Sequence, residues 1–359
     1  MIEDSLPKAL ALREKLHSIP ELSCCETETK KALMAFLKRE SDLEIVDCGA
    51  WFYAAHRENE EPGLAFRADM DAIPGADGPF HGSGHDGHSA VMAALAASTG
   101  GKSLGKNLFF FFQHAEEIGA GAKSCCELFE REKIEAVFGF HNCPGFEAGR
   151  VLLLPDTFAC ASKGLILSFT GSQSHAAHPE NGRNPIFPMA ALFSHWEELT
   201  DPGRYRGLVL ATPVGMRAGE RAFGVSAGCG EIDLTLRAWY DEDLQTLTEG
   251  FLDLAGRLAA EAGVTLKTEE RDVFPATRNS AALYPRMEAA ARSAGLATET
   301  PPEPFRWSED FGNYAKCCPS FFCGIGAGKD APGLHTPDYR WNDAVSEAAL
   351  RLFSAVIGL

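Results

Sequence analysis

The chain has 359 residues, 45% apolar and 23% charged, the composition of a folded globular protein rather than a disordered one, with length for about two domains. Its 33 Lys+Arg against 50 Asp+Glu give a net charge of −17, which argues against nucleic acid and anionic membrane surfaces as partners. No apolar run approaches the roughly 18 residues of a membrane helix, the start MIEDSLPKAL lacks the apolar core of a signal peptide, and the chain reads as cytoplasmic.

In chain order, Leu12, Leu16, Leu33, Phe36 and Leu37 have helical spacing and predict amphipathic helices at the start. Short apolar runs of strand length follow at 64–66, 108–112 and 136–140, separated by helical stretches such as the Ala-rich 89–97. Strands alternating with helices predict an α/β domain around a buried sheet. From about 162 the pattern changes to a strand at 165–169, a helix at 184–199, a strand at 208–214 and a strand through 232–240 with a period of two. A helix at 243–263 and a strand at 264–267 complete a βαββαβ order, which predicts a small ferredoxin-like α+β unit inserted at 162–272. The α/β pattern of 1–161 resumes at 273–359, with a further strand at 321–323.

The chemistry gathers where the strands end. Arg67-Ala68-Asp69-Met70-Asp71 follows the first, Gln113-His114-Ala115-Glu116-Glu117 the second, His141-Asn142 the third, and a Gly-rich loop leading to His335 the last. In open α/β sheets, sites form at the carboxyl ends of the strands, so groups far apart in sequence can share one cleft. The segment 81–88 adds three histidines and an aspartate among glycines, which suits a loop wrapping a divalent metal. His85, Glu117, His141 and His335 are the imidazole and carboxylate ligands that zinc and manganese accept. Asp86 is placed to orient His85. Glu116, left beside the metal, can take a proton from water activated by the ion. His56, His114 and His195 read as ordinary hydrogen-bonded histidines.

Together these motifs resemble the zinc- or manganese-dependent amidohydrolases that include hippurate hydrolase, bacterial N-acyl-amino-acid deacylases and plant indole-acetyl-amino-acid hydrolases. These are relatives of the aminoacylase and carboxypeptidase metallopeptidases. The resemblance runs through residues 13–22, FRADMDAIP (66–74), SGHDGHSA (83–90), FQHAEE (112–117), HNCPG (141–145), SHAAHPENGRNP (174–185), SEDF (308–311) and LHTPDYRWND (334–343). It implies a zinc-peptidase-like catalytic domain with an inserted ferredoxin-like lid often used for homodimerisation, holding one or two Mn or Zn ions. It also implies metal ligands at His85, Glu117, His141 and His335, a general base at Glu116, and an oxyanion-stabilising histidine at His175.

Two departures stand out. Ser83 occupies the position where the family has a cysteine ligand, and a hydroxyl is a far weaker ligand than a thiolate. An Asn-Val-Ile-Pro stretch that touches substrate in relatives is Phe223-Gly224-Val225-Ser226-Ala227-Gly228 here. Arg237, on the solvent side of its strand, is a candidate for a substrate carboxylate. The eleven cysteines are odd in number and include the adjacent pairs Cys24-Cys25, Cys125-Cys126 and Cys317-Cys318. They read as free thiols of a reducing compartment. The function expected is hydrolysis of an N-acyl amino acid or similar small amide. The alternatives are a dipeptidase or aminopeptidase using the same site, and a binding protein on a degraded hydrolase scaffold.

Overall fold

A computed structural model describes residues 2–359. The chain divides into two compact units. The first comprises Met1–Phe158, Thr277–Pro304 and Glu309–Leu359, and the second Ala159–Ala276 with Phe305–Ser308. The sequence expectation for the second unit, 162–272, omits the short piece 305–308, which no local pattern announces.

The first unit is built on an eight-stranded mixed sheet. Its order is Glu44–Asp47, Phe52–His56, Leu108–Gln113, Gly63–Asp69, Ile134–Pro144, Ser320–Gly328, Val151–Leu152, Thr298–Glu299. The four strands that carry the chemistry are mutually parallel and buried along most of their length. Their register stacks phenylalanines side by side. Phe66 lies opposite Phe110 and Phe138, with ring centroids 5.3 and 5.6 Å away, and Phe52 stacks on Phe112 at 4.6 Å. These rings account for Phe110 and Phe112, two of the four consecutive phenylalanines, and fix the strand ends relative to one another, because a one-residue slip would turn every ring to the opposite face.

Parallel sheets need cover on both faces. The helix His85–Ala97 is buried along nearly its whole length, and its Ala-rich sequence permits that close approach. Its N-cap, Gly84, has φ 92°, and a Cβ there would lie 2.5 Å from the Tyr339 hydroxyl, so no other residue fits. The expected loop around a metal at 81–88 is therefore corrected. From His85 onward the segment is helix, and its histidines point in different directions.

The second unit has strands Ala161–Thr170, Val209–Ala218, Cys229–Ala238 and Thr265–Phe274 in an antiparallel sheet, with helices Ile186–Ser194 and Asp241–Glu261. Numbering its strands 1 to 4 along the chain, the spatial order is 2-3-1-4, that of a ferredoxin-like sandwich. The helix expected over 184–199 breaks at His195 into Ile186–Ser194 and Trp196–Leu199. The strand expected at 264–267 extends to Phe274. It is a sheet edge whose exposed side chains, Lys267 to Asp272, are mostly charged, so apolar periodicity could not mark its length.

Candidate functional site

Three strand ends and one helix start meet in the first unit. His85, first residue of its helix, is almost fully buried. Its Nδ1 faces the Asp71 carbonyl at 2.9 Å and the Asp71 carboxylate at 3.1 Å. Its Nε2 has no hydrogen-bond partner and faces Asp69 Oδ2 at 3.7 Å, Glu116 Oε2 at 3.8 Å and Glu117 Oε1 at 3.7 Å. A buried nitrogen without a partner is costly unless something fills the gap. Two ligands each about 2.1 Å from one tetrahedral ion stand about 3.4 Å apart, so these spacings fit a divalent cation. His85, Glu116 and Glu117 each place one ligand atom within 4.8 Å of the others.

Electrostatics points the same way. Burial would lower the His85 pKa, yet Asp69, Asp71 and Glu117 outweigh it and raise the imidazole to about 10. Burial raises Glu117 above the usual carboxylate range. The pocket holds more negative charge than its side chains neutralise, and a cation relieves it. His141 Nδ1 faces its neighbour's carbonyl, Asn142 O, at 2.9 Å. Burial, followed by the proximity of His88, holds its pKa well below the ordinary value, the neutral form a metal ligand needs. His335 lies beside Glu117 with its side chain more than half exposed. Its Nε2 lies 3.5 Å from Glu117 Oε2, and its backbone is held at φ 61° with N–H donated to Gly82 O. Left-handed backbone at a non-glycine residue is a strained state that functional sites retain. Ser83 is also present, its hydroxyl donating to Glu117 Oε1.

His88 could complete a histidine cluster with His85 and His141. Both its nitrogens are already engaged, Nδ1 with Asp69 Oδ1 and Nε2 with Asn142 Oδ1, each at 2.7 Å. Asp86 requires a correction. Successive helical residues point about 100° apart, so Asp86 turns away from His85. It pairs instead with His17 Nδ1 at 2.8 Å and Arg13 Nη1 at 3.5 Å, tying the helix Ile2–His17 to the helix His85–Ala97. The group that orients His85 is Asp71. It also accepts the Glu117 N–H at 3.0 Å and the Ser23 hydroxyl at 2.7 Å.

Glu116 is 6% exposed. Burial, then the charges of Glu309, Glu117 and Asp310, push its carboxyl well above the ordinary range. Below it lies a buried network that sequence reasoning missed. Arg67 contacts Asp69, Glu309 Oε1 at 2.9 Å and Asp310 Oδ1 at 2.9 Å, and its Nε donates to Gln113 Oε1 at 2.8 Å. Gln113 Nε2 and Ala122 N–H also bind Asp310, and the Asp310 N–H points at Glu116 Oε1, 3.4 Å away. Burial pushes Asp310 up to about 8 against the pull of Arg67. The available signal was alternation. Residues 67 and 69 share one face of a strand, and two charged residues on the buried face of an apolar strand must find partners.

In the second unit, His175 Nδ1 accepts the Ala177 N–H at 3.0 Å, so in the neutral ring Nε2 carries the proton and is free to donate. The His175 segment bridges to Val225 and is bonded through Ser174 and Ala176 to 224–226, the stretch that departs from the family pattern. Arg237 is not free in solvent. Its Nη1 donates to Ser308 Oγ at 2.8 Å and Arg306 O at 3.1 Å, holding the 305–308 piece to its sheet. His56 meets Glu58 at 2.6 Å and His195 meets Glu198 at 3.1 Å, but His114 departs from the hydrogen-bonded expectation: its Nδ1 is buried without a hydrogen-bond partner among the described residues, and burial lowers its pKa.

A buried site of imidazoles and carboxylates at the ends of parallel strands, beside a carboxylate that binds protons tightly, defines a metal-dependent hydrolase centre. The model of peptidase family M20/M25/M40 matches residues 65–358, and the chain belongs to that family. An uncharacterised hydrolase of Staphylococcus saprophyticus is 28% identical over 364 residues, covering 93% of this chain and 92% of its own. A solved structure from methicillin-resistant Staphylococcus aureus has a TM-score of 0.88 at 25% identity, with 99% of this chain and 97% of the other covered. A Bacillus subtilis protein described as a dinuclear metal-binding peptidase of the M20 family has a TM-score of 0.84 at 24% identity, covering 99% and 98% of the two chains, a likeness of fold.

Proposed function

We propose that the protein hydrolyses the amide bond of an N-acyl amino acid or a similar small amide, with Glu116 as general base. The observation that carries this is the buried Glu116 carboxyl beside the unpartnered His85 Nε2. His85, Glu117, His141 and His335 would hold one or two Mn or Zn ions, with Ser83 at most a weak contributor. A bound ion supplies Lewis acidity, lowering the pKa of water toward about 7 and polarising the amide carbonyl.

The chain's own groups do the rest. Glu116 takes a proton from the attacking water and delivers it to the departing nitrogen, and its raised proton affinity suits both steps. His175 Nε2–H is a donor for the developing oxyanion, worth roughly 2.7–4 kcal/mol for a well-placed group. Arg237 is proposed for a substrate carboxylate, and its desolvated guanidinium, already held by Ser308, supports a fixed orientation. A homodimer through the lid is supported by the edge strand Val209–Ala218, which exposes Val214 and Met216. The eleven cysteines carry no disulfide, which supports a cytoplasmic location.

The test is Glu116→Gln. Turnover of the metal-loaded enzyme should fall by about 10²–10⁴-fold while bound metal is unchanged. Undiminished hydrolysis would exclude Glu116 as the base. A panel of N-acyl amino acids beside dipeptides separates the amidohydrolase from a dipeptidase.

A further inference from the structure

Glu116 and Glu117 sit on a turn whose shape is imposed from outside. Ala115, just before them, has φ 50°, a left-handed conformation that disfavours a side chain. The Ala115 carbonyl accepts the N–H groups of Ala120 and Gly121, both at 3.1 Å, so the chain doubles back immediately after the pair. A Cβ at Gly121 would lie 1.6 Å from His114 O, so only glycine fits where the turn closes.

Two buried carboxylates hold this turn. Asp71 takes the Glu117 N–H at 3.0 Å. Glu26, 5% exposed and 89 residues away in sequence, takes the Ala115 N–H at 2.7 Å through Oε1. Glu26 stands at the N-cap position of the helix Thr27–Glu40, where a carboxylate ordinarily accepts from its own helix. It makes no such bond. Glu21 caps that helix instead, accepting the N–H of Glu28 at 3.1 Å and of Thr29 at 2.8 Å. Just before Glu26, Cys24 is also left-handed, with φ 67°. The segment thus gives up the local cap and sends Glu26 into the core.

We propose that Glu26 is a positioning residue for the Glu116–Glu117 pair, acting through the Ala115 N–H to hold the strained turn that aims both carboxylates. It rests on the assignment of Glu116 as base and Glu117 as ligand. Removing the acceptor leaves a buried N–H unpaired at a residue whose backbone is already unfavourable, and the turn relaxes.

The experiment compares Glu26→Ala, Glu26→Gln and Glu21→Ala in the full chain, each titrated with Mn²⁺ by calorimetry and assayed on whichever panel substrate the wild type turns over. Glu26→Ala should weaken Mn²⁺ binding about tenfold, as loss of a supporting hydrogen bond does. Its kcat should fall about 10²-fold with KM little changed, the effect of a small misplacement. Glu26→Gln retains an oxygen acceptor and should stay within about threefold of wild type in both readouts. Glu21→Ala removes the helix cap and should lower the melting temperature with Mn²⁺ affinity and kcat intact. Wild-type Mn²⁺ affinity in Glu26→Ala, or losses in Glu21→Ala parallel to those in Glu26→Ala, would overturn the proposal. If Glu26→Ala does not fold, Glu26→Gln decides alone, since loss of Mn²⁺ affinity there would also overturn it. A wild type that binds Mn²⁺ yet cleaves no substrate counts against the proposed function and leaves the binding comparison valid.

Discussion

The Ser83 hydroxyl keeps its proton at neutral pH and donates it to Glu117 Oε1, so in the proposed centre it would shape Glu117 and be at most a weak ligand itself. A thiol there would ionise against a divalent ion and add a soft anionic donor. Ser83→Cys should therefore tighten Zn²⁺ binding by about tenfold or more, and Mn²⁺ binding less. Competition titration against a chelator measures both, and an unchanged Zn²⁺ affinity would show that the side chain at 83 does not reach the ion. At this scale the sequence proposed His85, Glu117, His141 and His335 as ligands because each stands at or after a strand-length apolar run or opens a helix. It misassigned Asp86 and missed Asp71 and Glu26. Which carboxylate meets a given N–H depends on contacts across 46 and 89 residues, and spacing carries no record of them.

Among the elements, the chain after strand Phe52–His56 is tied to the loop before strand Leu108–Gln113 by the Glu58 carboxylate and by Asn107, whose Oδ1 accepts the N–H groups of Glu58 and Asn59. Glu58 accepts the N–H groups of Leu104 and Gly105 and meets His56 Nε2 at 2.6 Å. The Leu104 N–H and then His56 bring its pKa from the ordinary 4.5 down to about 2. A carboxylate whose pKa falls on folding contributes stability that is present above the unfolded value and lost as pH falls through the folded one. The urea midpoint of wild type should therefore exceed that of Glu58→Gln near pH 6, and the gap should narrow as pH drops from 4.5 toward 2. A gap constant over that window would mean the ionised form contributes nothing. The sequence marked the buried elements well, because their apolar residues repeat. It shortened the charged edge strand Thr265–Phe274 and ran the helix through His195, since neither feature alters an apolar pattern.

For the whole molecule, the decisive fact is that one unit is continuous apart from a four-residue piece and the other is not. The second unit has its own sheet and its own core, from Ala161 through Phe251 to Ala276. A fragment 159–276 should fold alone, with a cooperative thermal transition by circular dichroism. A non-cooperative melt would show that its core needs the rest of the chain. The first unit cannot be cut in the same place. The strand Ser320–Gly328 lies beside Ile134–Pro144 in the middle of its sheet, so residues 1–158 alone expose a central strand and should aggregate or remain unfolded. The charge of −17 is spread over both units and bears on solubility more than on fold.

The sequence by itself determined the alternation of buried strands and helices, the βαββαβ insertion and the residue types of a metal hydrolase. Each is written in local periodicity or in motifs a few residues long. Only the tertiary structure decided that Asp71 supports His85, that Arg67 gathers Asp69, Glu309 and Asp310 beneath Glu116, and that Asp86 serves the N-terminal helix. A buried charge takes whichever partner the register of the sheet brings within about 3 Å, and register is a property of the packed strands together.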